Sequence, residues 1–281
     1  MNQESIKNAV EASLIADSYL LGSHWIYDEE ELKNLDIDWN ELNAPCAQWH
    51  VGKEKGDFTH YGDHTKWLLD YVKESKTFDI EAYKQVWLKN MKNYKGYIDG
   101  ACQETMQIIQ NDATAVVGSN SHDLSILGRI SPLLYVSDTK EVFLSNVKSF
   151  VSFTHNNKNV LHVSKLFASM LYDVVNGSSI KDALSTVTVV KEIRSAFDAG
   201  VSSQNQNTFD SIQHFGPSCD VEGGFEGTLH LLVKYDNFKE VMLQNAKAGG
   251  DSSSRGMIVA MLMGAEGCSI PPSWRKATKG I

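Results

Sequence analysis

The chain has 281 residues, enough for one large domain with a single sizeable core. Hydrophobic residues make up 42% and charged residues 22%, which excludes a disordered, collagenous or coiled-coil protein. The formal net charge is −9, and no basic cluster interrupts it. Because this charge repels phosphate backbones and anionic lipids, we expect neither a nucleic-acid partner nor a membrane partner.

The first residues lack a basic segment followed by an apolar run, so they do not resemble a signal peptide. The most apolar late stretch, 257–263, is far shorter than the ~20 residues that a membrane helix needs. The four cysteines form no Cys-x-x-Cys pair: Cys46, Cys102, Cys219 and Cys268. Scattered single cysteines are typical of reduced thiols, so we expect a cytoplasmic protein and assign Cys219 no role.

Apolar residues recur with helical spacing along most of the chain. Helices are predicted from Ile6 and from Tyr83, on both sides of Thr154-His155, and over 179–197, 225–235, 238–248 and 257–265. The β-branched run 187–190 lies inside a window with helical spacing, and strand-like alternation is scarce. No repeat or linker divides the chain, so the pattern predicts one all-α domain over 1–281, a bundle of many helices.

Polar segments that contain glycine separate the predicted helices. We interpret these segments as loops: 22–38, 45–65, 96–100, 118–123, 153–157, 203–222 and 248–256. Loops rich in His, Asp, Ser and Thr on a helical scaffold are typical of a site built by loops, so we expect a central cleft lined by them.

The strongest local signal is the segment 248–256, Ala-Gly-Gly-Asp-Ser-Ser-Ser-Arg-Gly, which leads into an apolar helix. Its glycines allow a close approach of the backbone, and Asp251 with three serines stands at the helix start. One interpretation is an N-cap, because carboxylate and hydroxyl oxygens accept the free N–H groups there. The other is a site for a hard cation or a ribose hydroxyl, because the same oxygens suit magnesium.

Two further segments contain candidate site residues. In 58–65, Asp63 is a candidate ligand or base, and His60 and His64 can titrate near neutrality; the alternative is a capped helix with surface histidines. In 17–28, an aspartate on an apolar helix requires a hydrogen-bonding partner. The aromatic residues His24, Trp25 and Tyr27 either stack on a planar ring or form a corner of the core.

Several segments, in chain order, resemble the motifs of one family. Residues 16–28 resemble an opening Gly-Asp-Ala-x-Gly element, and 61–65 stand at the place of a Thr/Ser-Asp-Asp-Thr element. Residues 118–123, followed by 129–133, resemble the central loop of the family and the helix after it.

The second half of the chain continues the series. Residues 154–156 resemble a Thr-His motif, 249–256 a Gly-Gly-Asp-x-Asp-Thr helix start, and 270–274 an Ile-Pro-x-x-Trp end. In this order, nearly end to end, the chain resembles the ADP-ribosylglycohydrolase family, and most closely its branch related to jellyfish J1 crystallins.

The resemblance implies an all-α fold whose central cleft binds two magnesium ions and the ribose of an ADP-ribosyl group. Family members hydrolyse the N- or O-glycosidic bond at the ribose C1, and a carboxylate helps to activate water. By position, Asp63 corresponds to one N-terminal ligand, Asp251 to the first C-terminal ligand and Ser254 to the terminal hydroxyl ligand. Asp63 and Asp251 must then meet, so the first and last helices should pack together.

The sequence also departs from the family pattern. Gly62 and Ser253 stand where the family has aspartates, and His24 or Trp25 lies where active relatives have a glutamate. Because affinity for hard cations grows with the charge of the ligands, we expect one or two weakly bound Mg²⁺ ions. Their expected ligands are Asp63, Asp251, Ser253 and Ser254.

Two interpretations of the function remain open. The first is a hydrolase of the N- or O-glycosidic bond to an ADP-ribosyl or related ribosyl group, acting on an ADP-ribosylated protein or an ADP-ribose-like small molecule. Asp63 and Asp251 would be its catalytic carboxylates. Its expected substrate-binding residues are His24, Trp25, Tyr27, Asp28, Asp99, Ser119, Asp123, His155 and Arg255. The second is a catalytically inactive relative that binds nucleotide or serves as a structural, crystallin-like protein.

Overall fold

The computed structural model describes residues 2–281, and helices dominate it. The first seven α-helices of this region are α1 Gln3–Leu20, α2 Glu29–Lys33, α3 His60–Ser75, α4 Ile80–Asn93, α5 Gly100–Asn111, α6 Lys140–Thr154 and α7 Lys158–Val175. The next seven are α8 Ile180–Thr186, α9 Lys191–Ser202, α10 Thr208–Phe215, α11 Val221–Lys234, α12 Phe238–Lys247, α13 Ser252–Glu266 and α14 Pro272–Ala277.

Three short 3-10 helices supplement them: Gln48–His50, Leu124–Arg129 and Ser131–Val136. Within residues 2–281, β-structure is confined to two isolated bridges, Ile26 to Gly250 and Asp123 to Asp220. The predicted all-α fold is therefore confirmed. No helix in this part of the chain has the length and apolarity needed to cross a membrane.

Helices α1 and α13 pack against each other at the centre of the molecule. Every residue of α13 from Ser252 to Ala265 is buried, as expected for a helix that other elements surround on all sides. The two backbones approach closely because Gly264 faces Ala12: a Cβ on Gly264 would lie 2.5 Å from the Ala12 Cβ. The expected packing of the first helix against the last long one is therefore confirmed.

The strongly periodic helices are where the sequence predicts them, but the prediction of one helix over 179–197 is wrong. Helix α8 ends at Thr186, and α9 begins at Lys191. Val187 is extended, with φ −63° and ψ 136°, at the start of the β-branched run. Because β-branched side chains lose rotamer freedom in a helix, such a run favours the break.

Two of the predicted loops contain whole α-helices, and others overlap the end of a helix. Segment 22–38 contains α2, segment 45–65 ends inside α3, and segment 203–222 contains α10 and the start of α11. The new helices begin at side-chain caps: Asp28 accepts from Glu31 N, and Asn207 accepts from Asp210 N. These helices are short, so apolar periodicity reveals them poorly.

Candidate functional site

The start of α13 is built by two glycines with left-handed backbone conformation. Gly249 has φ +73° and Gly250 has φ +65°. Gly250 N donates to Ile26 O at 2.7 Å, and Trp25 N donates to Gly250 O at 2.9 Å. The next residue, Asp251, is the N-cap, and its Oδ1 accepts from Ser254 N at 3.0 Å. The N-cap interpretation of Asp251 is therefore confirmed as a structural role.

Asp251 has additional partners that a simple cap does not need. Its Oδ2 accepts from the Tyr61 hydroxyl at 2.8 Å, and the His24 Nδ1 lies 3.6 Å from Oδ1. A carboxylate oxygen of Asp251, one of Asp123 and the Cys219 sulfur lie within 4.8 Å of one another. Three distant segments of the chain thus converge at the start of α13, and they form a group of residues able to bind a metal.

The two carboxylates of this group perturb each other. Burial raises the pKa of Asp123 to about 7, and the neighbouring charge of Asp251 acts in the same direction. Burial also raises the pKa of Asp251, although its bonds from Ser254 N and the Tyr61 hydroxyl oppose the shift. Two adjacent buried carboxylates share a proton unless a cation neutralises them. Burial raises the pKa of the Cys219 thiol strongly, so it is neutral and a poor nucleophile.

Asp123 and Cys219 line a cavity of about 520 Å³. Ser121, His122 and the first residues of α5 form other parts of its wall. A cavity of this size suits a small ligand with a few convergent polar groups. The loops 96–100, 118–123 and 203–222 all contribute lining residues, as expected for a cleft lined by loops.

Five histidines lie buried around the start of α13 and α3: His24, His50, His60, His64 and His155. Burial lowers the pKa of every one of them, and neighbouring imidazoles or arginines add to the effect. The pKa values of His50 and His155 fall to about 3. These rings are therefore neutral at physiological pH. His60 and His64 are not the surface histidines of the alternative interpretation.

Asp99 belongs to a buried network with an arginine. It caps α5 by accepting from Cys102 N at 2.6 Å. Its Oδ2 lies 3.5 Å from His60 Nε2 and 3.7 Å from an Arg129 nitrogen. Burial alone would raise the pKa of Asp99, but His60 and Arg129 hold it well below its usual range. Arg129 also bonds His64 Nδ1 at 3.1 Å, so it links α3 to the central loop.

The hydrogen-bond partners of Asp63 differ from those of Asp251. Its Oδ2 accepts from Lys53 Nζ at 2.5 Å and from the Tyr94 hydroxyl at 2.5 Å. Among residues 2–281, the one convergent metal-binding group does not include Asp63. A shared metal site of Asp63 and Asp251 thus stays a prediction, and the contacts of Asp63 do not support it.

Arg255 binds the protein rather than a cavity. Its Nε donates to Asn245 Oδ1 at 3.0 Å, one terminal nitrogen to Pro217 O at 3.0 Å, and the other to Gly249 O at 2.6 Å. The guanidinium is fully buried and holds the loops around Asp251 together. All three guanidinium nitrogens of Arg255 thus donate to protein oxygens, and the predicted contact of Arg255 with phosphate stays a prediction.

The remaining candidates divide into structural and exposed residues. Ser119 is buried and donates to Thr154 O at 2.7 Å, while Asp28 is an exposed N-cap of α2. Tyr27 is 48% exposed. Trp25 has a left-handed φ of +63°, an unusual conformation for a bulky residue, and stacks on His24 with centroids 4.6 Å apart. Backbone strain of this kind often occurs at functional sites.

The residues near Asp251 offer oxygen donors for one divalent cation. The buried hydroxyls of Ser252, Ser253 and Ser254 have no hydrogen-bond partner among residues 2–281. Oxygen atoms of this kind, together with the carboxylates of Asp123 and Asp251, are the hard donors that a divalent cation prefers. The Cys219 sulfur suits softer metals, and it does not strengthen such a site for magnesium.

Sequence reasoning missed Tyr61, Arg129 and Cys219 as members of this site. Tyr61 and Arg129 lie within motifs that carry the family resemblance, and this is the signal that could have identified them. Cys219 has no such signal, because only the fold brings it beside Asp123.

Comparisons with known proteins agree with this fold. The sequence model of the ADP-ribosylglycohydrolase family matches residues 2–280. Crystallin J1A of Tripedalia cystophora is 21% identical over 304 residues, which cover 98% of this chain and 92% of the crystallin. Crystallin J1B of the same species is 21% identical over 310 residues, covering 99% and 94%. A solved structure described as an ADP-ribosylglycohydrolase-related protein complex shares the fold, with TM-score 0.74, 15% identity and coverage of 98% and 92%.

Proposed function

The chain belongs to the ADP-ribosylglycohydrolase family, and we propose that it hydrolyses the N- or O-glycosidic bond at the C1 of an ADP-ribosyl or related ribosyl group. Family membership supports a glycohydrolase-type function. The observation that carries the specific proposal is the convergence of Asp123 and Asp251 beside a cavity of about 520 Å³. Glycoside hydrolysis commonly requires such a pair of carboxylates, one to activate water and one to support the charge that develops on the sugar.

The two carboxylates differ in their access to substrate. Asp123 lines the cavity and is half-buried, so it can accept a proton from a water molecule that attacks C1. Asp251 is completely buried and is held by Tyr61 and Ser254. It supplies fixed negative charge close to the developing positive charge of the ribose. A single Mg²⁺, held by Asp123, Asp251 and the serine hydroxyls, would orient the ribose hydroxyl groups when bound.

The surrounding residues keep this charge in place. The neutral imidazole of His24 packs beside Asp251 and excludes water from its inner side. Arg255 fixes the carbonyl groups of Gly249 and Pro217, which set the conformation of the loop before α13. The substrates proposed are ADP-ribosylated proteins or ADP-ribose-like small molecules, whose ribosyl group would enter through the cavity at Asp123.

The test measures free ADP-ribose released from N-linked and O-linked ADP-ribosyl substrates, with and without magnesium. The wild type should release it, and Asp123→Asn should lower the rate by about 100-fold or more, because general-base catalysis contributes at least that factor. Asp182→Asn, on the exposed side of α8, is the matched control and should retain full activity. Absence of release from every linkage in the wild type would reject the proposal.

A crystallin-like or nucleotide-binding role is the second candidate. It is favoured by the full-length similarity to two crystallins and by the Lys53 contact that neutralises Asp63. Under this interpretation ADP-ribose either raises the unfolding temperature without turnover or has no effect on it. The same preparations, examined by thermal unfolding, separate the two roles.

A further inference from the structure

A lysine from the loop before α3 places its ammonium group beside the first turn of that helix. Lys53 follows the short helix Gln48–His50, and its backbone N donates to His50 O at 3.1 Å. Its Nζ lies 2.5 Å from Asp63 Oδ2, and both side chains are largely buried, at 20% and 17% exposed. The Tyr94 hydroxyl donates to the same oxygen. The Asp63 carboxylate therefore already has a positive partner and a second donor supplied by the chain.

No other carboxylate can join Asp63 on this turn of α3. A Cβ on Gly62 would collide with Asp17 Oδ2 and lie 2.7 Å from Phe58 Cβ. Asp17 is fixed there, because its oxygens accept from Thr59 N at 2.8 Å and from Thr59 Oγ1 at 2.7 Å. Asp17 is thus held by Thr59, and the space at residue 62 is filled.

The charges of Asp63 and Lys53 cancel each other at the α3 end of the site. Asp63 carries one negative charge, and the ammonium of Lys53 balances it. A divalent cation at Asp63 would have to displace an ammonium in direct contact and then bind a single carboxylate. Magnesium dehydrates reluctantly and needs several oxygen ligands in near-octahedral geometry, so this exchange is unfavourable.

Asp17 connects the two ends of the site. Burial raises the pKa of Asp17 to about 7; the hydrogen bonds from Thr59 and the nearby Ser253 hydroxyl oppose the rise, and the charge of Asp63 adds to it. Asp17 therefore lies between α3 and the start of α13. The ammonium of Lys53 lies at the α3 end of the site, and the Asp123–Asp251 pair lies at the α13 end.

We propose that the Lys53 ammonium replaces a divalent cation at Asp63, so that the protein binds no metal there. Any divalent cation is then confined to the Asp123–Asp251 end. This inference deepens the proposed function and rests on it only for the location of the substrate cleft.

The test is calorimetric titration of magnesium alone into the intact protein. The wild type should bind one ion or none. Lys53→Met removes the ammonium and should add one bound ion, which the double variant Lys53→Met/Asp63→Asn should lose again. Lys53→Arg keeps the charge and should retain the stoichiometry of the wild type. Two ions in the wild type, or no gain in a folded Lys53→Met protein, would overturn the proposal.

A second variant covers the case in which Lys53→Met does not fold. Asp63→Asn in the wild type should leave the magnesium affinity and stoichiometry unchanged, or leave binding absent if the wild type binds none. A loss of affinity in Asp63→Asn would show that Asp63 is a metal ligand and would overturn the inference. Because no ADP-ribosyl substrate is present, the result is independent of whether the protein is a hydrolase.

Discussion

The buried histidines make the stability of the protein depend on pH, and His50 offers the clearest test. His50 is 3% exposed, and neither ring nitrogen has a hydrogen-bond partner among residues 2–281. Burial lowers its pKa from 6.5 to about 3, with smaller effects from His60 and Lys53. Because the folded-state pKa is lowered, the unfolded chain binds more protons between these two values. The contribution of His50 to stability is therefore complete above pH 6.5 and is lost as the pH falls.

The magnitude follows from linkage. Between about pH 7.5 and about pH 5.5, one histidine that stays neutral when folded but titrates normally when unfolded loses about 1.4 kcal/mol. His155 and His230, with pKa values lowered to about 3 and about 4, should lose a similar amount, and burial lowers the pKa values of His24, His60 and His64 in the same direction. Asp17 and Asp123 oppose them, because their pKa values are raised to about 7 and their neutral forms favour folding at lower pH. Each returns about 2 kcal/mol over this interval, so the two carboxyl groups offset part of the loss from the histidines.

The assay is urea unfolding of the wild type, His50→Phe and His50→Gln at both pH values. Both variants remove the titrating group, so each should lose about 1.4 kcal/mol less than the wild type over this interval. Phe preserves the ring volume and removes two unpartnered nitrogens, whereas Gln keeps a polar group. The two variants will therefore differ in their free energy of unfolding, but the change in that free energy between the two pH values should be the same. If both variants lose as much unfolding free energy between the two pH values as the wild type does, the assignment of a neutral, buried His50 is refuted.

Three substitutions probe the site directly. Asp251→Asn should be as stable as the wild type, since Asn caps a helix equally well and like-charge repulsion is removed. Magnesium and ADP-ribose should stabilise the wild type against thermal unfolding but not this variant. A wild type that neither additive stabilises would contradict this prediction. Gly62→Ala normally favours a helix by about 1 kcal/mol, but here the clash with Asp17 should instead destabilise by about 2 kcal/mol in urea unfolding. Arg255→Lys should cost about 3 kcal/mol in the same assay, because the donors of an ammonium share one nitrogen and cannot reach the three acceptors that the separate guanidinium nitrogens contact; an unchanged midpoint would show that the guanidinium is dispensable.

The long helices could be predicted because their apolar faces repeat over several turns. Helices α1 and α7 are of this kind, whereas α13 was recognisable from its continuous apolar run 257–263. The break between α8 and α9 could not be found from spacing alone, because the apolar period continues through Val187–Val190 while the backbone does not. There the stiffness of β-branched side chains outweighs the amphipathic pattern.

The site was only partly predictable. The sequence identified Asp251 as a cap or ligand, and the structure shows that it caps α13 while also facing Tyr61. The requirement for a partner of Asp17 is confirmed by its bonds from Thr59. The orientation of Asp63 towards Lys53 depends on a loop ten residues earlier in the chain, and no local pattern encodes it.

Gly62 illustrates why a departure from a family pattern is not simply a missing side chain. From the sequence alone, Gly62 is a position where the family pattern has an aspartate. Substituting aspartate there is then expected to restore a metal ligand. In the structure the space belongs to Asp17, whose two bonds from Thr59 hold the start of α3. An aspartate at residue 62 would clash with Asp17 and would add a third acidic side chain beside Asp17 and Asp63. Because Lys53 also occupies the position of a cation, restoring an aspartate at residue 62 cannot by itself return a divalent ion to this end of the site; the ammonium must be removed first.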